Sequence, residues 1–461
     1  MWSGRISGAW ARSTWARSTC KRWSEIKLSS LSPFRPLVQA AFLASFVALF
    51  LALEYPAAAP GLFLAADPLL ALASSLYHTG AWMPVLFLAA AGMLAVAAIF
   101  GRIFCGWACP VGFMADISDR VVRVFWRIKP TGRLGFIQYG LLAALLIFSL
   151  FSIDALSALD PMVIFQRSVY LIWSLSGVPV VLLLIMAGSL LAPRLWCRIC
   201  PMGAVLGLAA LASPFGRGVN DSCIKCMKCR RACPAGAISK ENGFDTTACI
   251  KCLKCERACP ENAISFAASR PALPTFEGRR TVLAAVAGLG LLALAKVAVP
   301  GAGASYIRPP GSLVESKFNA ACVRCESCVK ACLGQVIRPA GLDGGLERAF
   351  TPVLDFNKGK CERCGTCGSV CPTGAVISIP EANMKMGTAR LDKNKCIAWA
   401  QNKKCLICEE VCPVKAIKST GRNRPVVSED VCAGCGSCQL NCPVEGKAIV
   451  VSSEGERRRD E

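Results

Sequence analysis

Two groups of four cysteines carry the first chemistry legible in this chain. They are Cys223, Cys226, Cys229 and Cys233, then Cys249, Cys252, Cys255 and Cys259, and a proline follows the last cysteine of each. Both read C-x2-C-x2-C-x3-C-P. Three cysteines at that spacing wrap one iron–sulfur cubane, and the proline turns the fourth toward a neighbouring cluster. The spacing therefore predicts one [4Fe–4S] cluster on Cys223, Cys226, Cys229 and Cys259, and another on Cys249, Cys252, Cys255 and Cys233. CxxC pairs also serve zinc, but the third cysteine, the x3 interval and the proline do not belong to a zinc ribbon. A disulfide framework fits poorly too, because disulfide-rich domains are usually short and their cysteines loosely spaced.

Four more groups follow: Cys322, Cys325, Cys328, Cys332; Cys361, Cys364, Cys367, Cys371; Cys396, Cys405, Cys408, Cys412; and Cys432, Cys435, Cys438, Cys442. Three of these end in proline, whereas the first ends in Leu333. The third has an insertion, Ile397 to Lys404, between its first two cysteines. Spacing leaves two pairings open among the four, consecutive or nested. The six groups use 24 of the 29 cysteines and predict six [4Fe–4S] clusters. Two further pairs, Cys105 and Cys109, then Cys197 and Cys200, each run into a proline. Together they offer four thiols, enough for one further centre or a redox dithiol pair, against the plain alternative of structural cysteines in tight turns. Cys20 stands alone as a spectator. His78 is the only histidine, so a bis-histidine haem is excluded. No CxxCH, Walker loop or strand-borne GxGxxG is present.

These groups must be positioned by other elements. The chain has 461 residues with mean hydropathy +0.46, and its apolar residues come in blocks. Stretches at 37–53, 84–100, 136–153 and 171–192 predict four membrane-spanning helices. A fifth, 281–299, follows Arg279 and Arg280, as in a twin-arginine export signal. The segment 57–76, broken by prolines, reads as an external loop. Basic residues fall between the second and third stretches and after the fourth, which places those regions inside and residues from 305 outside. Ala302-Gly303-Ala304 has the composition of a signal-peptidase site, and a retained anchor is the favoured reading. The formal charge of +22 would suggest nucleic acid. Six clusters with their thiolates remove roughly 12 of those charges, and topology explains much of the rest.

The expected fold is an α-helical membrane domain plus small α+β ferredoxin-like domains. Its parts are a basic N-terminal segment (1–35), a four-helix membrane domain with both CP motifs (36–215) and a cytoplasmic two-cluster ferredoxin (216–270). A membrane anchor (279–304), a periplasmic four-cluster unit (305–452) and a disordered tail (453–461) complete it.

Residues 37–265 resemble the NapH-type membrane ferredoxins, through FCGWACPVG at 104–112, the second CP motif at 197–201 and the groups at 223–259. The portion from 279 resembles NapG/MauM-type polyferredoxins, through the twin arginine, IRPPG at 307–311 and four cysteine groups. The whole looks like the two partners fused. The resemblance implies an inner-membrane protein that oxidises quinol and feeds electrons to a periplasmic reductase or electron-carrier protein. The type case is nitrate reduction, which is not carried over. Related proteins with GWxCP motifs supply electrons for maturing other redox enzymes, which is the competing function. The second CP motif here is C-x2-C, one residue shorter than the family's C-x3-C. No quinone site stands out: Arg102, Trp107, Gln138, Tyr139 and Arg167 lie near the expected membrane boundaries, where interfacial anchoring explains them equally well. The expected partners are membrane lipid, the quinone pool and that periplasmic protein, with no nucleic acid. On this reading about 30 Å of hydrocarbon separates the two ferredoxin units.

Overall fold

The computed structural model describes residues 32–51, 64, 66–71, 83–125, 135–150, 157–174, 178–239, 243–268, 306–341, 345, 348–421 and 423–459. Cys20, His78, Arg279, Arg280, the 281–299 stretch and Ala302-Gly303-Ala304 lie outside them. The N-terminal part is helical: α1 (Arg35–Leu51), α2 (Met83–Phe100), α3 (Ile103–Trp107), α4 (Pro110–Phe125), α5 (Gly135–Leu150), α6 (Pro161–Trp173), α7 (Val180–Ala187), α8 (Leu195–Ile199) and α9 (Pro201–Ala209).

The sequence expectation of a membrane-spanning helical domain is corrected here. Among the described residues no helix is long and apolar enough to cross a membrane. The apolar stretches do form helices, but α1, α2 and α5 have 17, 18 and 16 residues. At 1.5 Å per residue the described parts of these helices reach roughly 24–27 Å, against about 30 Å for a hydrocarbon core. The 171–192 stretch is broken outright: α6 ends at a Ser174 cap, and an eight-residue α7 starts only after Pro179. These helices turn one part of their surface inward, Phe46 and Phe50 of α1 and Leu182 and Ile185 of α7 being buried, and leave Leu37, Phe42, Leu88 and Leu184 exposed. Helix α9 packs on α2 and α5, and α4 packs on α1 and α7.

Local chemistry sets the helix starts. Asp160 caps α6, accepting from the Met162 and Val163 amides at 2.7 and 3.1 Å, with Pro161 at the first position. Proline also opens α4 and α9. Its missing N–H costs nothing at that position and its fixed φ suits the helix. Each CP motif is therefore a cysteine held at a helix entrance.

The two-cluster unit is clamped by β1 (Phe215–Val219) and β2 (Ile264–Ala268), antiparallel from Phe215 opposite Ala268 to Val219 opposite Ile264. Beyond residue 305, three more antiparallel pairs build the second unit: β3 (Ile337–Pro339) with β4 (Pro352–Leu354), β5 (Thr388–Leu391) with β8 (Ile449–Ser452), and β6 (Ile417–Thr420) with β7 (Arg424–Val427). The β5–β8 pair closes around the last two cysteine groups. The charged tail, expected to be disordered, is bound along 453–459. Arg459 bridges to Leu313, and Arg458 pairs with Glu315 and Glu456. Opposite charges on the unit's own surface hold it.

The two ferredoxin units, expected on opposite sides of a membrane, share one packed core with the helices. Ile250 and Cys252 of the first unit, Met162 and Phe165 of α6, and Val323 and Cys325 of the second belong to it. Gln166 donates to the Cys325 carbonyl (2.9 Å) and the Ser327 hydroxyl (2.8 Å), and Arg167 donates to the Arg324 carbonyl (3.0 Å). Arg167, one of the residues flagged at the expected membrane boundaries, thus helps fasten the halves. Gln138 and Trp107 also serve as fasteners, donating to the Cys200 and Lys251 carbonyls, both at 3.0 Å.

Gly106 marks the tightest part of this contact. A Cβ there would stand 2.1 Å from the Ile250 carbonyl oxygen, whereas one on Gly92 would meet nothing within 4 Å. Gly106→Ala is expected to lower stability by about 1–3 kcal/mol through overpacking. Gly92→Ala, inside α2, should raise it by up to about 1 kcal/mol. Thermal unfolding of the two variants checks the contrast.

Candidate iron–sulfur sites

The cysteine groups close into rings, each ring borrowing its fourth member from the next group. Cys223, Cys226 and Cys229 line one cavity with Cys259. Cys249, Cys252 and Cys255 line another with Cys233. In the second unit the exchange is consecutive. Cys322, Cys325 and Cys328 share a cavity with Cys371. Cys332 lies close enough to Cys361 and Cys367 to act on both thiols. Cys396, Cys405 and Cys408 share a cavity with Cys442, and Cys432, Cys435 and Cys438 share one with Cys412. Among the described residues no three His, Cys, Asp or Glu side chains are gathered tightly enough for a single metal ion. All 28 described cysteines are unbridged.

The backbone around five rings has a common form. The residues flanking the second cysteine take left-handed φ: Lys225 and Met227, Lys251 and Leu253, Arg324 and Glu326, Arg363 and Gly365, Gly434 and Gly436. Such a run is the backbone of an anion-binding nest, the type of loop that surrounds iron–sulfur clusters. L-residues pay a conformational cost there, so the strain needs a reason, and an anionic cluster supplies one. At Gly436 no other residue fits, because a Cβ would sit 1.9 Å from the Phe356 ring at φ +78°. The third group departs from the pattern. Leu406, after its second cysteine, has φ −124°. The insertion forms a turn of helix, Ile397–Ala400. Trp399 anchors it by donating to the Pro425 carbonyl at 3.0 Å, with Lys393 and Arg424 over its ring.

The fourth cysteines are held by backbone donors. Amides of Ala237, Ala263, Ala416 and Ala448 donate to the sulfurs of Cys233, Cys259, Cys412 and Cys442 at 3.3–3.4 Å. Burial pushes the free thiols up: Cys249, Cys322 and Cys361 to about 12, Cys325 and Cys408 to about 11. Metal ligation replaces the proton of a cysteine thiol, so cluster assembly releases protons. Four sulfurs, a nest and amide donors together fit a [4Fe–4S] cubane.

The CP cysteines also meet. Cys105, Cys109, Cys197 and Cys200 are all buried, and their thiols act on one another electrostatically. Sequence reasoning gave no role to the arginines beside them, because a basic residue flanking an apolar stretch reads as a topology signal. Arg102 and Arg194 are instead among the most buried side chains of the protein.

Four-cysteine rings paired in two-cluster modules define a ferredoxin-type iron–sulfur protein, whose chemistry is electron transfer. Comparison with known proteins agrees. A family model described as a 4Fe-4S dicluster domain matches residues 321–375. Two models, each described as a 4Fe-4S binding domain, match residues 219–239 and 243–265, and residues 82–129 and 175–220. The ferredoxin-type protein NapG of Escherichia coli is 34% identical over 207 residues, covering 40% of this chain and 88% of NapG. The methylamine utilization ferredoxin-type protein MauM of Methylorubrum extorquens is 35% identical over 196 residues, with the same coverage of both chains. The ferredoxin-type protein NapF of E. coli is 30% identical over 142 residues, covering 30% of this chain and 80% of NapF. No solved structure matches. The chain belongs to the NapG/MauM family of ferredoxin-type proteins.

Proposed function

We propose that the protein binds six [4Fe–4S] clusters, one in each ring, and carries single electrons from a quinol to a periplasmic reductase or electron-carrier protein. The observation that carries this reading is the exchange of fourth cysteines, which joins the rings into three adjacent pairs. Each bound cluster supplies a one-electron couple. The protein's part is to hold each cluster through Cys223, Cys226, Cys229 and Cys259 or the equivalent set, and to bury it. Its amide donors stabilise sulfur-borne negative charge, a main lever on cluster potential. Cys364 is the one exposed cysteine among those described, and that edge is where a soluble partner gains closest access.

The resemblance of residues 37–265 to NapH-type ferredoxins supports quinol as donor. A donor of two electrons needs one-electron carriers that take them apart, which the rings provide. The Arg279-Arg280 pair before an apolar run supports a periplasmic acceptor. The relatives do not choose that acceptor, since NapG and a protein named for methylamine utilization match equally well. This equality favours one second reading, in which the chain supplies electrons for assembling a periplasmic redox enzyme. Anaerobic addition of a menaquinol analogue to the loaded protein separates them. Reduction of the clusters by roughly one electron each, followed by the bleaching of their visible absorption, is the expected result. Reduction by dithionite alone would overturn quinol as donor and leave the assembly reading.

A further inference from the structure

We infer that Asp67 and Asp160 form a buried carboxyl pair that takes up a proton when the iron–sulfur centre at the neighbouring CP turns is reduced, and releases it on oxidation. The inference rests on iron–sulfur loading of the chain and is independent of which donor supplies the electron. The sequence has an Asp-Pro step at each place, Asp67-Pro68 and Asp160-Pro161. Each aspartate caps the helical turn that follows it. Asp67 accepts from the Leu69 and Leu70 amides at 2.8 and 3.5 Å, as Asp160 does from Met162 and Val163. A cap uses one carboxyl oxygen. The Oδ2 atoms of both residues are buried, and no described donor reaches them. The two carboxyls, each 1% exposed, hydrogen-bond to each other. Ionised carboxylates only accept, so that bond exists only with a proton on one of them. Burial raises both carboxyls, and the charge on Asp67 drives Asp160 up further. Two like charges this close and dry do not both ionise. The pair therefore holds one proton, carries one negative charge and has room for a second proton.

The surroundings show what the second proton answers to. Leu69, Leu70, Met162 and Val163 beside the pair lie in one core with Cys105, Cys109 and Cys200. Asp160 acts electrostatically on the Cys200 thiol, and Cys200 lies in a segment matched as a 4Fe-4S binding domain. The charges fixed on the CP turns are arginines. Arg102 donates to the Cys197 carbonyl at 3.0 Å and Arg194 to the Cys105 carbonyl at 3.2 Å. Arginine does not give up its proton in proteins, so neither can answer an added electron by titrating. Helices α4 and α7 pack on α6. On α4, burial works to raise the Asp116 carboxyl, but Arg194, Lys254 and Arg35 hold it well below the usual range. Asp119 accepts from the Arg194 amide, and Arg120 is exposed. Helices α7 and α9 carry no titratable side chain. Arg167 and Tyr170 of α6 are engaged with the second unit. The pair is thus the group placed to gain a proton. Added negative charge nearby raises a carboxylate's proton affinity. The electron comes from the reductant, a quinol on the reading above, and the proton from water. The pair passes from one negative charge to none, and oxidation reverses both transfers.

The test uses the full chain, purified anaerobically with iron and zinc counted, and reduced at an electrode so that no quinol is needed. Proton uptake, EPR-monitored midpoints at several pH values and infrared difference spectra are compared with those of Asp67→Asn/Asp160→Asn. That variant keeps both caps, since asparagine caps as well as aspartate, and mimics the doubly protonated pair. On reduction the wild type should take up about one proton more per chain than the variant. One EPR species, the one lost in Cys200→Ser, should have a midpoint that falls as pH rises in the wild type and stays level in the variant. A protonated-carboxyl infrared band should grow on reduction in the wild type alone. Equal proton uptake and parallel midpoints in two proteins with the same iron content would overturn the inference and leave Asp67 and Asp160 as caps only. If the variant does not fold, the wild type decides: a pH-independent midpoint for every species, with no carboxyl band on reduction, would overturn it. Iron well below about 24 atoms per chain, with zinc present, would sink the six-cluster reading and the inference with it.

Discussion

Cys371→Ser is expected to abolish the site formed by Cys322, Cys325 and Cys328, and to spare the one formed by its own sequence neighbours Cys361, Cys364 and Cys367. The reason is geometric. Cys371 lines the cavity of the earlier group, and Cys332 stands with the later one. Losing one of four ligands in a small unit is severe, since metal binding there is coupled to folding and is worth on the order of 10 kcal/mol for structural sites. The variants should therefore sort into pairs. Cys371→Ser and Cys325→Ser lose the same EPR species, and Cys332→Ser and Cys364→Ser lose another. If Cys371→Ser instead matched Cys364→Ser, each group would hold its own cluster and the exchange would be wrong.

Arg308→Ala should destabilise the second unit by about 3–5 kcal/mol, the range for stripping one partner from a buried ion pair. Arg308 is fully buried. It donates to Glu315 at 2.6 and 3.1 Å, to the Thr351 hydroxyl at 2.7 Å and to the Pro352 carbonyl at 2.9 Å. Its guanidinium lies 4.6 Å from the centre of the Phe318 ring. Lysine cannot reproduce this fork of donors, so Arg308→Lys should rescue little. Burial would raise the Glu315 carboxyl, but the hydrogen bonds and charges of Arg308 and Arg458 hold it down to about 2. A depressed carboxylate contributes fully above its unfolded value, near 4.5, and loses that contribution as pH falls toward 2. Denaturant unfolding of wild type and variant measures the first effect. Equal stability would show that the arginine is a passenger.

How much of this was legible from sequence differs by residue. The exchange of Cys233 and Cys259 followed from spacing and proline alone, because ligand geometry is local. The consecutive pairing beyond residue 305 was not legible, since either order satisfies each motif and only the β3–β4 and β5–β8 pairings bring the partners together. Apolar stretches gave the helices but not their surroundings. Hydropathy does not show where an apolar run stops being helical, and the Ser174–Pro179 break lay inside a run that looked continuous. The basic residues misled as well. Arg102 and Arg194 look like flanking charges, yet their partners are carbonyls and a carboxylate distant in sequence, and nothing local announces that.

The most direct test of the central claim is the metal content and reducibility of the anaerobically purified full chain. The account predicts at least about 24 iron atoms per chain, negligible zinc, and EPR signals of several reduced [4Fe–4S] clusters appearing stepwise in a reductive titration. Stoichiometric zinc in the rings, or iron that no reductant titrates, would contradict it.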